Sequence, residues 1–219
     1  MAASHIVIPL HDARLEGILD LPGDGAGLVI FAHGAGSSRN SPRNRFVAAI
    51  LRQAGLGTLL FDLLTEEEEQ AEAFTRRFRF DIKLLANRLV AATRWMLGQL
   101  STEIRAGYFG SSTGAAAALV AATEMGEMVR GIVSRGGRPD LAGDALKRVA
   151  APTLLIVGGN DLPVIPLNED AFEDLDCEKA LQVVAGATHL FEEPGALKKV
   201  GNLASDWFCR HLQAVPQVH

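Results

Sequence analysis

Residues 106–120 read Ala106-Gly107-Tyr108-Phe109-Gly110-Ser111-Ser112-Thr113-Gly114-Ala115-Ala116-Ala117-Ala118-Leu119-Val120, and this stretch decides the fold. Ala106–Phe109 is strand-like, and the small residues from Gly114 onward form a helix. Between them stands Gly-x-Ser-x-Gly. Placed between a strand and a helix, that pattern is a nucleophile elbow, a sharp turn that holds a serine hydroxyl above the sheet. Glycines flank Ser112 because a strained turn leaves no room for Cβ atoms against the adjoining strand and helix. The chain has 22 glycines in 219 residues. About 0.09 chance matches of the bare pattern are therefore expected, and placement must carry the rest.

Working outward, apolar segments of strand length alternate with segments of helical period, the signature of a parallel sheet with crossover helices. Ser4–Ile8 and Arg14–Leu21 read as an opening hairpin turned at His11-Asp12. Gly27–Ala32, Gly57–Phe61, Ala106–Phe109, Val129–Ser134, Thr153–Val157 and Ala180–Val184 are the further strands. Ile82, Leu85, Leu89, Ala92 and Met96 mark one helical apolar face; Leu197, Val200, Ala204, Trp207 and Phe208 mark another. The expectation is one α/β domain over residues 1–219, with about eight mostly parallel strands and helices on both faces.

Hydrophobic residues make up 48% of the chain and charged residues 21%, as in ordinary globular proteins. A net charge of −5 gives no reason to expect nucleic acid or an anionic membrane as partner. No basic region followed by a long apolar stretch opens the chain, and no apolar run has membrane-span length. Cys177 and Cys209 resemble neither a disulfide scaffold nor a zinc motif. The expectation is a soluble cytoplasmic protein with no metal and no cofactor. In Leu63–Phe80, strongly charged and otherwise without a clear element, Thr65 caps a helix with Glu68 as its reciprocal partner. The acids Glu66–Glu69 then suit the helix dipole rather than a metal. Arg76-Arg77-Phe78-Arg79 is expected as a solvated helix face balancing those acids.

A serine hydroxyl needs an imidazole to take its proton, and the imidazole needs a carboxylate to hold its tautomer. In elbow hydrolases the order is serine, acid, histidine. Only His189, His211 and His219 follow Ser112. His189 lies just past the last strand, at the sheet edge where ligands bind, and is read as the base. Asp161, after the turn Gly158-Gly159-Asn160, is the first candidate for the acid. Asp140 is the second, and Glu169, Asp170, Glu173 and Asp174 belong to a helix face. Donors for a developing oxyanion are expected from the Thr113 N–H and from Ala35, in the loop His33-Gly34-Ala35-Gly36-Ser37-Ser38. His33 precedes the serine and is read as a side chain that steadies this loop.

His33-Gly34, Gly110-Ser111-Ser112-Thr113-Gly114, Gly158-Gly159-Asn160-Asp161 and Thr188-His189 together resemble the α/β-hydrolase superfamily. The short chain without a cap insertion is similar to its dienelactone-hydrolase-like branch. The resemblance implies Ser112 as nucleophile, Asp161 as acid, His189 as base, and the Ala35 and Thr113 N–H groups as oxyanion hole. Dienelactone hydrolases proper carry cysteine at the elbow, so the serine here favours ordinary ester hydrolysis. The expected activity is cleavage of a small carboxylic ester, lactone or thioester through an acyl-enzyme. A ligand-binding scaffold, and acyl transfer or perhydrolysis on the same triad, are the other readings. Arg39, Arg135 and Arg138, in loops at the carboxyl ends of strands, are candidates for binding an anionic substrate group, with pairing to Asp140 or Asp144 as the alternative.

Overall fold

The structure is a computed structural model that describes residues 3–22, 27–100 and 104–212. Its strands are β1 (Ser4–Pro9), β2 (Arg14–Asp20), β3 (Leu28–Ala32), β4 (Gly57–Phe61), β5 (Ala106–Ser111), β6 (Val129–Arg135), β7 (Thr153–Gly158) and β8 (Lys179–Val184). They form one sheet in the order β1-β2-β4-β3-β5-β6-β7-β8. The β1–β2 hairpin is antiparallel and joins β4 antiparallel; the remaining pairings are parallel. The chain winds outward in one direction from β3 and in the other from β5. Their carboxyl ends therefore flank the switch point, where open α/β sheets bind ligands.

Side chains of β3 alternate between two apolar layers. Leu28, Ile30 and Ala32 enter one core, while Val29 and Phe31 enter the other. The first core is closed by α3 (Ile82–Gln99), α4 (Thr113–Met125) and α5 (Ile165–Asp174); the second by α1 (Pro42–Gln53) and α6 (Ala196–Leu212). Helices thus cover both faces, and no segment among the described residues forms a cap domain. The alanines Ala115–Ala118 are wholly buried and let α4 sit close on the sheet.

The charged stretch before α3 is more ordered than its composition implies. Helix α2 (Glu66–Thr75) starts with the expected capping box, Thr65 N–H donating to Glu68 at 2.9 Å and Glu68 N–H to Thr65 Oγ1 at 3.3 Å. The Glu68 carboxylate also accepts from the buried Arg88 of α3, whose guanidinium reaches the Leu63 carbonyl at 3.0 Å. Arg76–Arg79 is not a helix face: Arg76 ends α2 in the left-handed conformation (φ 54°), and Arg79 pairs with Glu72 beyond it. β6 runs on to Arg135, which therefore ends a strand instead of lying in a loop. Among the described residues no helix is long and apolar enough to cross a membrane, and no cluster of His, Cys, Asp or Glu could hold a metal.

Candidate active site

Ser112 sits between β5 and α4 with φ 50° and ψ −126°, a conformation that a side chain with a Cβ adopts only under strain. The turn is tight on both sides. A Cβ at Gly110 would press on the backbone of Ala115, and one at Gly114 would overlap the carbonyl oxygen of Ala32. Ser112 is the N-cap of α4, yet its hydroxyl makes no capping bond and stays uncommitted to the helix. Ser111 also borders the cleft. Backbone strain at the strand–helix junction, rather than position on the cleft, separates the two serines.

Asp161 and His189 follow adjacent parallel strands, β7 and β8. His189 Nδ1 lies 2.7 Å from Asp161 Oδ2, and the carboxylate is nearly buried while the ring is partly open. With a proton on Nδ1 donated to the carboxylate, the tautomer assigned from this contact, Nε2 is free to accept one. The two loops are laced together. Asn160 donates its N–H to Ala187 at 2.9 Å and its side-chain amide to Gly186 at 3.0 Å. Beside His189, Thr188 donates both its N–H and its hydroxyl to Glu193. Asp140, the other acid considered, accepts from Arg138 Nε at 2.8 Å and Nη2 at 2.7 Å and so is engaged elsewhere. His211 lies on α6 beside Glu178, and His219 lies outside the described residues.

Gly34–Ser37 forms a turn closed by Ser37 N–H to the Gly34 carbonyl, with Gly36 at φ 67°. Gly34 passes so close to Ser112 that a Cβ would meet the serine Cβ at 2.9 Å. Neither the Ala35 N–H nor the Thr113 N–H has an acceptor among the described residues. The helix start at Thr113 adds a positive dipole end. His33 is buried behind this turn. Its Nε2 accepts the Leu63 N–H at 2.9 Å and its Nδ1 donates to the Gly34 carbonyl. Burial keeps the ring neutral by lowering its pKa from the ordinary 6.5.

The three arginines separate. Arg39 donates its backbone N–H and its guanidinium to Asp62 and is a loop staple. The side chain of Arg138 is taken by Asp140; its backbone N–H, donated to the Ser112 carbonyl at 3.0 Å, is what touches the elbow. Arg135 alone of the three reaches the cleft of about 180 Å³ that Ser112, His189 and Ala35 also line. Arg43 on α1, which sequence reasoning missed, lines it too. A basic residue in the first turn of the helix after the oxyanion loop was the available signal.

No protein-family model matches the chain. It is 57% identical over 214 residues to a Mycobacterium tuberculosis protein named "Putative phosphoribosyl transferase", a match that covers 93% of this chain and 47% of the relative. The chain thus spans about half the length of the curated relatives it matches. A crystal structure of dienelactone hydrolase from Anabaena variabilis is 56% identical, with a TM-score of 0.94, and the match covers 97% of this chain and 99% of that one. Est1E of Butyrivibrio proteoclasticus shares the fold at 14% identity, with a TM-score of 0.79 over 94% of this chain and 98% of that one. Sheet order, elbow and likeness agree: the chain belongs to the dienelactone-hydrolase-like branch of the α/β-hydrolase superfamily. Its structural neighbours are hydrolases and esterases.

Proposed function

We propose that the protein is a serine hydrolase acting on a small carboxylic ester, lactone or thioester, with Ser112 as nucleophile, His189 as base and Asp161 as its orienting acid. The observation that carries this reading is the Asp161–His189 hydrogen bond on the rim of the cleft that holds the strained Ser112. Ser112 Oγ attacks the carbonyl carbon while its proton passes to His189 Nε2, and the carbonyl oxygen becomes an oxyanion facing the Ala35 and Thr113 N–H groups. Collapse breaks the bond to the leaving alkoxide or thiolate, which takes the proton from His189. Water then attacks the acyl-enzyme, its proton again moving through His189, and the carboxylic acid leaves. Asp161 stabilises the imidazolium at both stages without becoming protonated.

Phosphoribosyl transfer, in the name of the relatives, makes no use of a serine elbow backed by a paired histidine. Because those relatives are about twice as long, we attribute that name to the part of them this chain does not match. The test is a fluorophosphonate probe and a burst assay with 4-nitrophenyl acetate. One probe adduct per chain, lost in Ser112→Ala and kept in Ser111→Ala, is expected. A chain that neither labels nor releases a burst of nitrophenol is not a serine hydrolase.

A further inference from the structure

Of the two arginines that line the cleft, Arg135 is the one left without a counter-charge among the described residues. The residue is 7% exposed, its Nε is shielded from solvent with no acceptor, and no carboxylate among the described residues pairs with it. The chain solves this problem in the usual way elsewhere, setting Arg39 on Asp62, Arg88 on Glu68 and Arg138 on Asp140. Among the described residues Arg135 has the ring of Phe191, 5.9 Å from its central carbon, and no acid. Its charged neighbour Arg43 repels it; burial first, and that repulsion second, bring the guanidinium down to about 10. Arg43 gives Nη1 to Glu192 at 2.9 Å, but its own Nε is buried without an acceptor. Arg135 and Arg43 both line the cleft together with Ser112 and His189.

A buried cation with no counter-charge is among the costliest arrangements a fold can hold, and a second cation beside it raises the cost. An anion entering the cleft would remove both penalties at once. We propose that Arg135, flanked by Arg43, receives an oxyanion group, a carboxylate or a phosphate-type group, carried by the substrate a short distance from its scissile acyl bond. The planar fork of Arg135 matches either group, and Arg43 supplies the second positive charge that a phosphate or phosphonate requires. A neutral substrate would close the cleft over an unpaired guanidinium, so the same residue selects against it. This deepens the reading of Ser112 as nucleophile and rests on it for the position of the reacting bond. Binding of the anion itself does not.

Three 4-nitrophenyl esters of equal chain length test it: the neutral hexanoate, the ω-carboxylate hemiadipate and 5-phosphonopentanoate. The parent is expected to prefer one or both anionic esters by about 10- to 150-fold in kcat/KM, the range of a hydrogen bond to a charged group. Preference for the second or the third ester tells carboxylate from phosphate-type. Arg135→Met should abolish the ratio, Arg135→Lys should retain part of it, and Arg138→Ala should keep it. Arg135→Met should also melt higher than the parent, because an unpaired buried charge is gone; a purely structural arginine would make it melt lower. Independently of turnover, millimolar inorganic phosphate or adipate should raise the Tm of Ser112→Ala and leave that of the Ser112→Ala/Arg135→Met double variant unmoved. Equal turnover of the three esters, or no Tm shift with either anion, overturns the proposal while leaving the hydrolase reading intact. An anion-dependent Tm shift without probe labelling would keep the anion site and remove the hydrolase.

Discussion

His189 Nδ1 and Asp161 Oδ2 meet at 2.7 Å because β7 and β8 are parallel neighbours whose carboxyl ends open side by side. Sheet order brings the two residues together, and the Asn160 N–H to Ala187 and its side-chain amide to Gly186 hold the loops in register.

In Asp161→Asn the histidine loses the acceptor that sets its tautomer. Turnover of 4-nitrophenyl acetate should fall by about 10⁴, as it does when other triads lose their acid. His189→Ala should cost a similar factor, and the double variant little more than either single one, since the groups act as a unit. Steady-state kinetics of the three variants decide this; fully additive losses would exclude a shared role.

His33 couples stability to pH. In the fold its ring stays neutral, because burial lowers its pKa and Nε2 must accept the Leu63 N–H. In the unfolded chain the ring takes a proton below the ordinary 6.5. The unfolded state therefore binds more protons there, and stability falls as the pH drops below that value, by up to about 1.4 kcal/mol per pH unit until the folded ring titrates as well. Urea unfolding between pH 8 and pH 5 should show this slope in the parent and a shallower one in His33→Gln. Identical slopes would place the acid sensitivity elsewhere.

Arg138 and Asp140 form a pair open to solvent at the end of β6, their side chains 33% and 25% exposed. Removing the arginine side chain leaves the backbone bond from residue 138 to Ser112 in place. Arg138→Ala should change stability by no more than about 1 kcal/mol, the range of exposed ion pairs, and leave probe labelling of Ser112 intact. Loss of labelling would show that the side chain itself shapes the elbow.

Acyl length should be limited. The cleft holds about 180 Å³, no cap covers it among the described residues, and Glu69 lies at the edge of the oxyanion loop. Each methylene buried in an apolar tunnel would add roughly 0.8 kcal/mol to transition-state binding. A series of nitrophenyl esters should show no such continued gain past about eight carbons. A steady rise would reveal an acyl channel that opens on binding.

Two kinds of feature differ in how far the amino-acid order determines them. The elbow, the capping box at Thr65 and Glu68, and the alternation of β3 are set by residues within a few positions of one another. Their geometry follows from local sterics: a Cβ at Gly110 would strike the backbone of Ala115, a few positions along the same turn. The serine–acid–histidine order likewise follows from how parallel strands deliver their loops to one edge. Charge pairing is different, because Coulomb energy depends on separation in space and on burial, neither of which sequence spacing contains. Arg39, Arg135 and Arg138 look alike along the chain. Only the packed structure gives Arg39 to Asp62 and Arg138 to Asp140, ends β6 at Arg135, and leaves that arginine on the cleft with Arg43, without a carboxylate partner among the described residues.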